Sequence, residues 1–540
     1  MRHAAALLLA FPIALQAQSV PASRMDSVFA RWASTTSPGC AVGVARDGRP
    51  VLARAYGMAN LEYDVANTPE TVFEAGSVSK QVTAAAVILL AQRGALSLDD
   101  PVRRWVPELP EYGAPLTLRH LLNHTSGLRD WGSVVAVAGW PRTTRVHTNA
   151  HALDVMRRQR ALNFSPGAEY SYSNSGYNLL AIIVERASGS SLAEFSKREL
   201  FAPLGMTRTE WRDDFTRVVK ARATAYARRD SAWRQLMPFE NVYGNGGLLT
   251  TVGDLLIWNR NLDAPTVGGS ALVAEMQRRG RLTSGREIAY ASGLFVTRYR
   301  GVPEVSHSGS TAGYRAFLAR YPRQQLSVAV LCNAASANAT ALAHATAELY
   351  LGDALAPRAI ARAVPLSEAQ LAAPVGLYRD PRTNEPAELR LEDGRLRFGG
   401  AELVPLSPTA FALPDEDARA RLELDGAGRA RRLWRLWGPD SVGFERVERA
   451  RPTPAQLGEL AGTYTSDEVE TTVTVTVEGD SLVLHRRPAE HTALVPLYAD
   501  AFALPGAGVI RFSRESAGRV DGSWLSVGRA RNLRFVRVKG

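Results

Sequence analysis

The sequence predicts an α+β domain built from about the first 350 residues, followed by two small antiparallel β-domains, barrels or sandwiches. Three observations predict it. Strand patterns stand at both ends of the first segment with helical patterns between them, as when one sheet draws strands from both ends and a helical region is inserted. The remainder repeats itself: Ser367-Glu-Ala-Gln-Leu-Ala-Ala-Pro-Val-Gly-Leu-Tyr378 returns as Thr453-Pro-Ala-Gln-Leu-Gly-Glu-Leu-Ala-Gly-Thr-Tyr464 at an offset of 86 residues. Leu403-Val-Pro-Leu-Ser-Pro-Thr-Ala-Phe-Ala-Leu-Pro414 then returns as Leu494-Val-Pro-Leu-Tyr-Ala-Asp-Ala-Phe-Ala-Leu-Pro505 at 91, so the second copy carries five extra residues. Both copies alternate apolar and polar residues around short turns, at Asp393-Gly394 in one and Glu478-Gly479 in the other.

A chain of 540 residues is too long for one core, and length alone suggests about three to four domains. An apolar content of 46% suffices for a large one. Met1 to Ala17 has a basic start at Arg2, an apolar centre from Ala4 to Leu15 and Leu-Gln-Ala before Gln18, the pattern of a secretory signal peptide. Its removal would lower the formal charge from +11 to +10 by one arginine. No later apolar run approaches a membrane span, so the mature protein is expected to be periplasmic or secreted, with no transmembrane segment. The arginines are scattered and form no long block, which favours a solvated basic surface over a nucleic-acid partner. Two cysteines, Cys40 and Cys332, cannot make a disulfide scaffold or a four-ligand zinc site. Each lies in an apolar strand-like run, so buried thiols are the default reading and a single bridge in an oxidising compartment is the alternative.

Taken in order, Met25 to Trp32 reads as a short amphipathic helix. Gly39 to Arg46 and Val51 to Tyr56 flank a turn at Asp47-Gly48-Arg49, a hairpin signature. A helix follows Gly76-Ser77-Val78-Ser79-Lys80, because Gln81 to Gln92 is mostly good helix former and Gly94 is a stop. Leu116 to Gly127 opens a mainly helical region in which a helix is expected to run as far as Thr125-Ser126-Gly127. His120 and His124 have the spacing of paired metal ligands but lack the glutamate of His-Glu-x-x-His and any further ligand, so they read as structural. Ser165-Pro166-Gly167 breaks the region, and Tyr172-Ser173-Asn174 precedes the apolar helix Leu179 to Ala187. Gly244-Asn-Gly-Gly has no phosphate-binding lysine after it and so is not a nucleotide loop; Thr251-x-x-Asp254 opens a helix bearing Trp258. Strands return at Gly293 to Tyr299, Ala316 to Tyr321 and Leu326 to Leu331, with His307-Ser308-Gly309-Ser310 between the first two. Gly352 to Leu371, rich in alanine, arginine and proline, reads as a linker.

Ser77 and Lys80 stand out chemically. Positions three apart on a helix share a face, so the hydroxyl and the amine can meet. A serine needs a base to take its proton, and a lysine serves only when neutral; burial and the positive end of a helix both disfavour the ammonium. Lysine occurs only at 80, 197, 220 and 539, so 60 of the 64 basic residues are arginine, which cannot act as a base. No other lysine has a serine three residues before it. A bare Ser-x-x-Lys is also an ordinary helix start, but the helix behind this one reads as buried.

Ser77-x-x-Lys80, Tyr172-x-Asn174 and the strand-borne His307-Ser308-Gly309, in that order, resemble the three-motif signature of the serine β-lactamase and penicillin-binding protein superfamily, in its class C-like branch. Leu121-Leu122-x-His124-Thr125-Ser126-Gly127 and Gly246-Gly247-Leu248 are phrases similar to that branch, and two repeated β-domains after such a domain look most like the three-domain D-aminopeptidases. The resemblance implies a two-subdomain α+β serine β-lactamase-like fold, an antiparallel sheet flanked by helices plus a helical region, followed by two small antiparallel β-barrel domains. The expected boundaries are 1–17 for the leader, 18–352 for the hydrolase domain, 353–370 for the linker, and 371–449 and 450–540 for the barrels.

By position, the resemblance implies that Ser77 is acylated and that Lys80 and Tyr172 shuttle the proton. Asn174 would hydrogen-bond the substrate amide or the Lys80 amine, His307, Ser308 and Gly309 would line the substrate, and the backbone N–H groups of Ser77 and Ser310 would form the oxyanion hole. No metal or organic cofactor is required. Where relatives place lysine in Lys-Thr-Gly, this chain has His307, which weakens the case for β-lactams or free C-terminal carboxylates and is similar to the D-aminopeptidase pattern. The implied function is a serine hydrolase acting on D-amino-acid peptides, amides or small esters. The alternatives are an esterase, a D-alanyl-D-alanine carboxypeptidase or β-lactamase, and, in another class, a non-catalytic protein that binds peptidoglycan fragments or peptides. Oligomeric state is left open, and a loop from one barrel is expected to reach the cleft.

Overall fold

The apolar run Cys40–Arg46 (β1) is buried along all but its last residue, so it needs a partner on each edge. One is its hairpin mate Arg49–Tyr56 (β2), joined through Asp47 and Gly48, both at positive φ. The other comes from the far end of the domain. Phe295–Tyr299 (β3), Val302–Thr311 (β4), Tyr314–Tyr321 (β5) and Leu326–Cys332 (β6) complete a six-stranded antiparallel sheet in the order β3-β4-β5-β6-β1-β2. The sheet is thus assembled from both ends of the segment. The computed structural model describes residues 22–539 except 144, 358–361, 414–417 and 438–439; the expected leader lies outside the described residues.

Register sets Cys40 opposite Cys332, with Cα atoms 4.0 Å apart, and the two form a disulfide. The expectation of buried thiols is therefore corrected: two residues that read as separate apolar strand positions are direct cross-strand neighbours.

Helices Ala22–Phe29 (α1) and Ala339–Leu351 (α5) cover one face of the sheet, burying Met25, Phe29, Ala343 and Ala347 against Val42, Val328 and Val330. The other face carries Val252–Asp263 (α4) and, beyond it, Lys80–Gln92 (α2) and Asn174–Ser188 (α3). Gly43 of β1 marks the close approach: a Cβ there would lie 3.0 Å from Leu256 Cδ1 and 3.1 Å from Val252 Cβ. Thr251 caps α4 by accepting from the Asp254 amide at 3.2 Å, and Trp258 donates to Gln81 Oε1 at 2.8 Å, tying α4 to α2. The helix expected through Gly127 spans only Leu118–Leu122; Asn123 closes it and His124 has φ +57°, which an α-helix cannot accommodate.

Each C-terminal copy folds as a nine-stranded antiparallel sheet. Its two edge strands are consecutive in the chain, Ala401–Glu402 and Val404–Ser407 in the first copy and Glu490–Ala493 and Val495–Pro496 in the second. One residue, Leu403 or Leu494, separates them, so the edges are brought together and each sheet is a nearly closed barrel. The repeated words have repeated jobs. Ser367 and Thr453 cap short helices through capping boxes, and Tyr378 and Tyr464 donate to Pro374 O and Leu460 O at 2.7 and 2.6 Å. Val520–Val527 (β7) and Ala530–Arg537 (β8) form the last hairpin of the second barrel, joined by Gly528-Arg529.

Candidate active site

Ser77 is placed by its backbone neighbours. Phe73–Glu74 pairs with Leu248–Thr250, and the Ala75 amide donates to Leu248 O at 2.8 Å, fixing the chain before the turn. The chain then passes against β4 so closely that side chains are excluded. A Cβ on Gly76, whose φ is +52°, would lie 2.6 Å from Ser310 N, and one on Gly309 would lie 2.0 Å from Ala75 O. That packing sets the Ser310 amide beside the residue preceding Ser77, where an oxyanion hole is expected. Residues Gly76–Ser79 form a 3₁₀ turn leading into α2. In such a turn positions three apart eclipse, and Lys80 Nζ stands 3.1 Å from Ser77 Oγ.

Lys80 is fully buried. Besides Ser77, its Nζ contacts Asn174 Oδ1 at 3.1 Å and Asn245 O at 2.5 Å. The rings of Tyr172 and Tyr177 flank it, with centroids 4.8 and 5.5 Å away. Burial above all, and the Arg529 cation next, hold its pKa well below the ordinary lysine value, with Asp130 opposing. Asn174 is the first residue of α3, and its side chain turns to the lysine instead of capping the helix.

Tyr172 packs beside this pair. Burial raises its phenol above the ordinary range; Ser77 and Arg529 oppose that rise. Its hydroxyl lies near enough to Ser77 to feel it, yet closes no full hydrogen bond with a protein atom. Behind it stands a box of rings. His124 lies 4.1 Å from Tyr172 and 4.6 Å from Tyr290 between centroids. The Ser173 amide donates to His124 Nδ1 at 3.2 Å, which leaves the proton on Nε2, and burial followed by Lys80 and His307 keeps the ring neutral.

His307 faces inward. Its Nδ1 donates to Ser308 O at 2.6 Å and its Nε2 accepts from Tyr290 Oη at 3.0 Å, so both nitrogens are taken. Burial first, then Lys80, pushes its pKa down to about 3. The residue expected to line the substrate therefore supplies neither a charge nor a free nitrogen; it braces Tyr290, while Ser308 and Ser310, alternating with it along β4, are exposed.

The second barrel reaches this place. The Arg529 amide donates to Ser133 Oγ at 3.1 Å, and Arg529 O accepts from the Asp130 amide at 3.2 Å and from Asn163 Nδ2 at 2.9 Å. Its guanidinium lies 4.8 Å from the centroid of the Tyr172 ring. Asp130 links barrel and site, because its Oδ2 accepts from the Asn174 amide at 2.8 Å. The expected loop from a barrel is this turn.

Ser77, Lys80, Tyr172 and Asn174 are thus brought together with Ser308, Gly309 and Ser310 at the edge of β4, and His307 behind them. Sequence reading missed Asn245, Asp130 and Arg529; His124, read as structural, packs in the box of rings behind Tyr172. The signal for Asn245 was its glycines: Gly244 and Gly247 have positive φ, and that tight loop aims Asn245 O at Lys80. Among the described residues, no three His, Cys, Asp or Glu side chains cluster as metal ligands would, and no helix is long and apolar enough to cross a membrane.

The chain resembles known proteins along nearly its whole length. It is 28% identical over 525 residues to a D-aminopeptidase of Brucella canis, covering 93% of this chain and 96% of the relative. The octameric penicillin-binding protein homologue from Pyrococcus abyssi superposes with a TM-score of 0.57 at 25% identity, over 78% of this chain and 99% of its own. The D-amino acid amidase from Ochrobactrum anthropi shares the fold, with a TM-score of 0.51 at 21% identity over 58% of this chain and 91% of its own. Residues 26–352 match the family model described as Beta-lactamase, the segment that holds Ser77, Lys80, Tyr172 and the β4 edge, and the chain belongs to that family of hydrolases.

Proposed function

We propose that this protein is an exported serine hydrolase that works through an acyl-enzyme on D-amino-acid peptides, amides or small esters. One observation carries the reading: the three partners of Lys80 Nζ are two carbonyl oxygens, which can only accept, and one hydroxyl. A neutral amine has two N–H donors and one lone pair. Asn174 and Asn245 take the two donors, and the lone pair is left facing the Ser77 proton.

Ser77 Oγ then attacks the carbonyl carbon as its proton passes to Lys80. The backbone amides of Ser77 and Ser310 meet the oxyanion, a donor of this kind being worth about 3 kcal/mol in the transition state. As the bond to the leaving group breaks, the proton returns through Lys80 and Tyr172 to that group, and water, deprotonated by the same pair, cleaves the acyl ester. The raised phenol pKa suits Tyr172 to passing a proton on rather than standing as a phenolate. The D-aminopeptidase of Brucella canis supports the substrate class. The Cys40–Cys332 disulfide supports export, since such bonds persist in oxidising compartments.

The test is labelling and turnover. A fluorophosphonate should modify Ser77, Ser77→Ala should fall to background on p-nitrophenyl esters and D-alanyl p-nitroanilide, and Lys80→Met should lose about 10²–10⁴-fold in kcat. Full activity in both variants would overturn the mechanism, and ligand binding without turnover of any acyl compound would mark a binding protein instead.

A further inference from the structure

We propose that the guanidinium of Arg529, carried to the mouth of the Ser77 site on the turn between β7 and β8, binds a carboxylate of the substrate. The enzyme would then prefer acyl compounds bearing a free carboxylate over those bearing a free amino group. The inference rests on the hydrolase reading and turns its substrate class away from compounds whose only charge is a free amino group, as in an aminopeptidase substrate, toward amides and esters that carry a carboxylate.

The turn is built to hold that residue still. Its amide and carbonyl make three hydrogen bonds to Ser133, Asp130 and Asn163, and two residues on, the Arg531 amide donates to Asn163 Oδ1 at 2.8 Å. Gly528, at φ +51°, lets the turn press on Ser133, where a Cβ would lie 2.9 Å from Oγ. The backbone is fixed while the side chain is exposed.

Its neighbours are neutralised and it is not. Arg531 pairs with Glu169 at 3.1 Å, Arg129 with Glu468 at 2.9 Å, and Arg142 with Glu240. Among the described residues, no carboxylate pairs with the Arg529 guanidinium. It lies instead over the face of Tyr172, with its Cζ 4.8 Å from the ring centroid, a contact that holds the cation at the site without a protein carboxylate taking its donors. A planar fork of donors matches a carboxylate, and an ammonium brought to the same place is repelled. The other charges that could compete are withdrawn: Lys80 is buried among its acceptors, and both nitrogens of His307 are engaged within the protein.

The test uses two matched series on the whole chain. In the first, the charge is on the leaving group: 3-carboxyphenyl, phenyl and 3-(aminomethyl)phenyl acetates. In the second it is on the acyl group: glutaryl, butyryl and 4-aminobutyryl p-nitroanilides. The wild type should favour the anionic over the cationic member by about tenfold or more in kcat/KM in one series, which identifies the side on which the carboxylate sits. Arg529→Gln should abolish that ratio, Arg529→Lys should keep part of it, and 0.5 M NaCl should shrink it in the wild type. An equal ratio in the wild type and Arg529→Gln, in both series, overturns the role of Arg529. If the neutral members are still cleaved in a Ser77-dependent way, the hydrolase reading survives that result; if no member of either series is cleaved, both readings fall.

Discussion

The two barrels share a fold and a set of repeated words, yet they relate to the catalytic domain differently. The apolar core of the second, with Leu457, Tyr464, Phe512 and Phe535, is continuous with the core that contains α2 and α3. The first barrel keeps a core of its own around Tyr378, Phe411 and Leu433. Equivalent positions show the same contrast in charge. Arg382 in the first copy and Glu468 in the second both stand four residues after the repeated tyrosine, and each reaches a charge on the catalytic domain. Arg129 and Glu468 keep only 2% and 9% of their side-chain surface exposed, whereas Arg382 and Glu169 keep 50% and 24%. In sequence, the two residues between the last two strands are Gly528-Arg529 in the second copy and Gly438-Pro439 in the first, which has no cation there. A repeated scaffold therefore fixes the shape of both domains, while a few loop residues decide which copy enters the active site.

The largest effect should come from breaking the buried pair. Glu468→Ala leaves Arg129 buried and also removes the acceptor of the Arg160 amide, so it should cost about 3–5 kcal/mol in denaturant unfolding. It should also lower activity by loosening the Arg129-Asp130 segment that holds Asn174. Asn163→Ala is next. It removes both side-chain bonds to the β7–β8 turn, should cost about 1–3 kcal/mol, and should raise KM for the preferred anionic substrate more than it lowers kcat.

The pH profile sharpens the comparison further. On the proposed mechanism Lys80 acts as a neutral base, so kcat/KM should fall as pH drops through its pKa. Because Arg529 lowers that pKa, Arg529→Gln should raise it and move the acid limb to higher pH. The unchanged limb of a variant in the first barrel is the control. Arg382→Ala should cost less than Glu468→Ala and leave the pH profile in place, because its guanidinium is half in water where it meets Glu169, although the change also takes a partner from the buried Asp380. A loss as large as that of Glu468→Ala would show that the barrels contribute alike.

Ser77, Lys80, Tyr172 and Asn174 were legible because each belongs to a short run with its own local geometry: a turn into a helix, and a loop into the next. The hairpin at Asp47-Gly48 and the stop at Gly94 were legible for the same reason. The helix through His124 was read as too long: it ends at Leu122, and a residue at φ +57° shares no face with His120. The reversed role of His307 could not be read from its neighbours in the chain, since Tyr290, which takes its Nε2, lies on a different stretch.

Two kinds of information separate here. Spacing within one turn is set by backbone geometry, so the hydroxyl–amine pair, the alternating strands and the duplicated barrels follow from the order of residues alone. Contacts between distant segments depend on how whole elements pack. The bond between Cys40 and Cys332, the Asn245 oxygen on Lys80 and the arrival of Arg529 over Tyr172 each join residues more than 160 positions apart, and only the packed sheet, helices and second barrel bring them within reach.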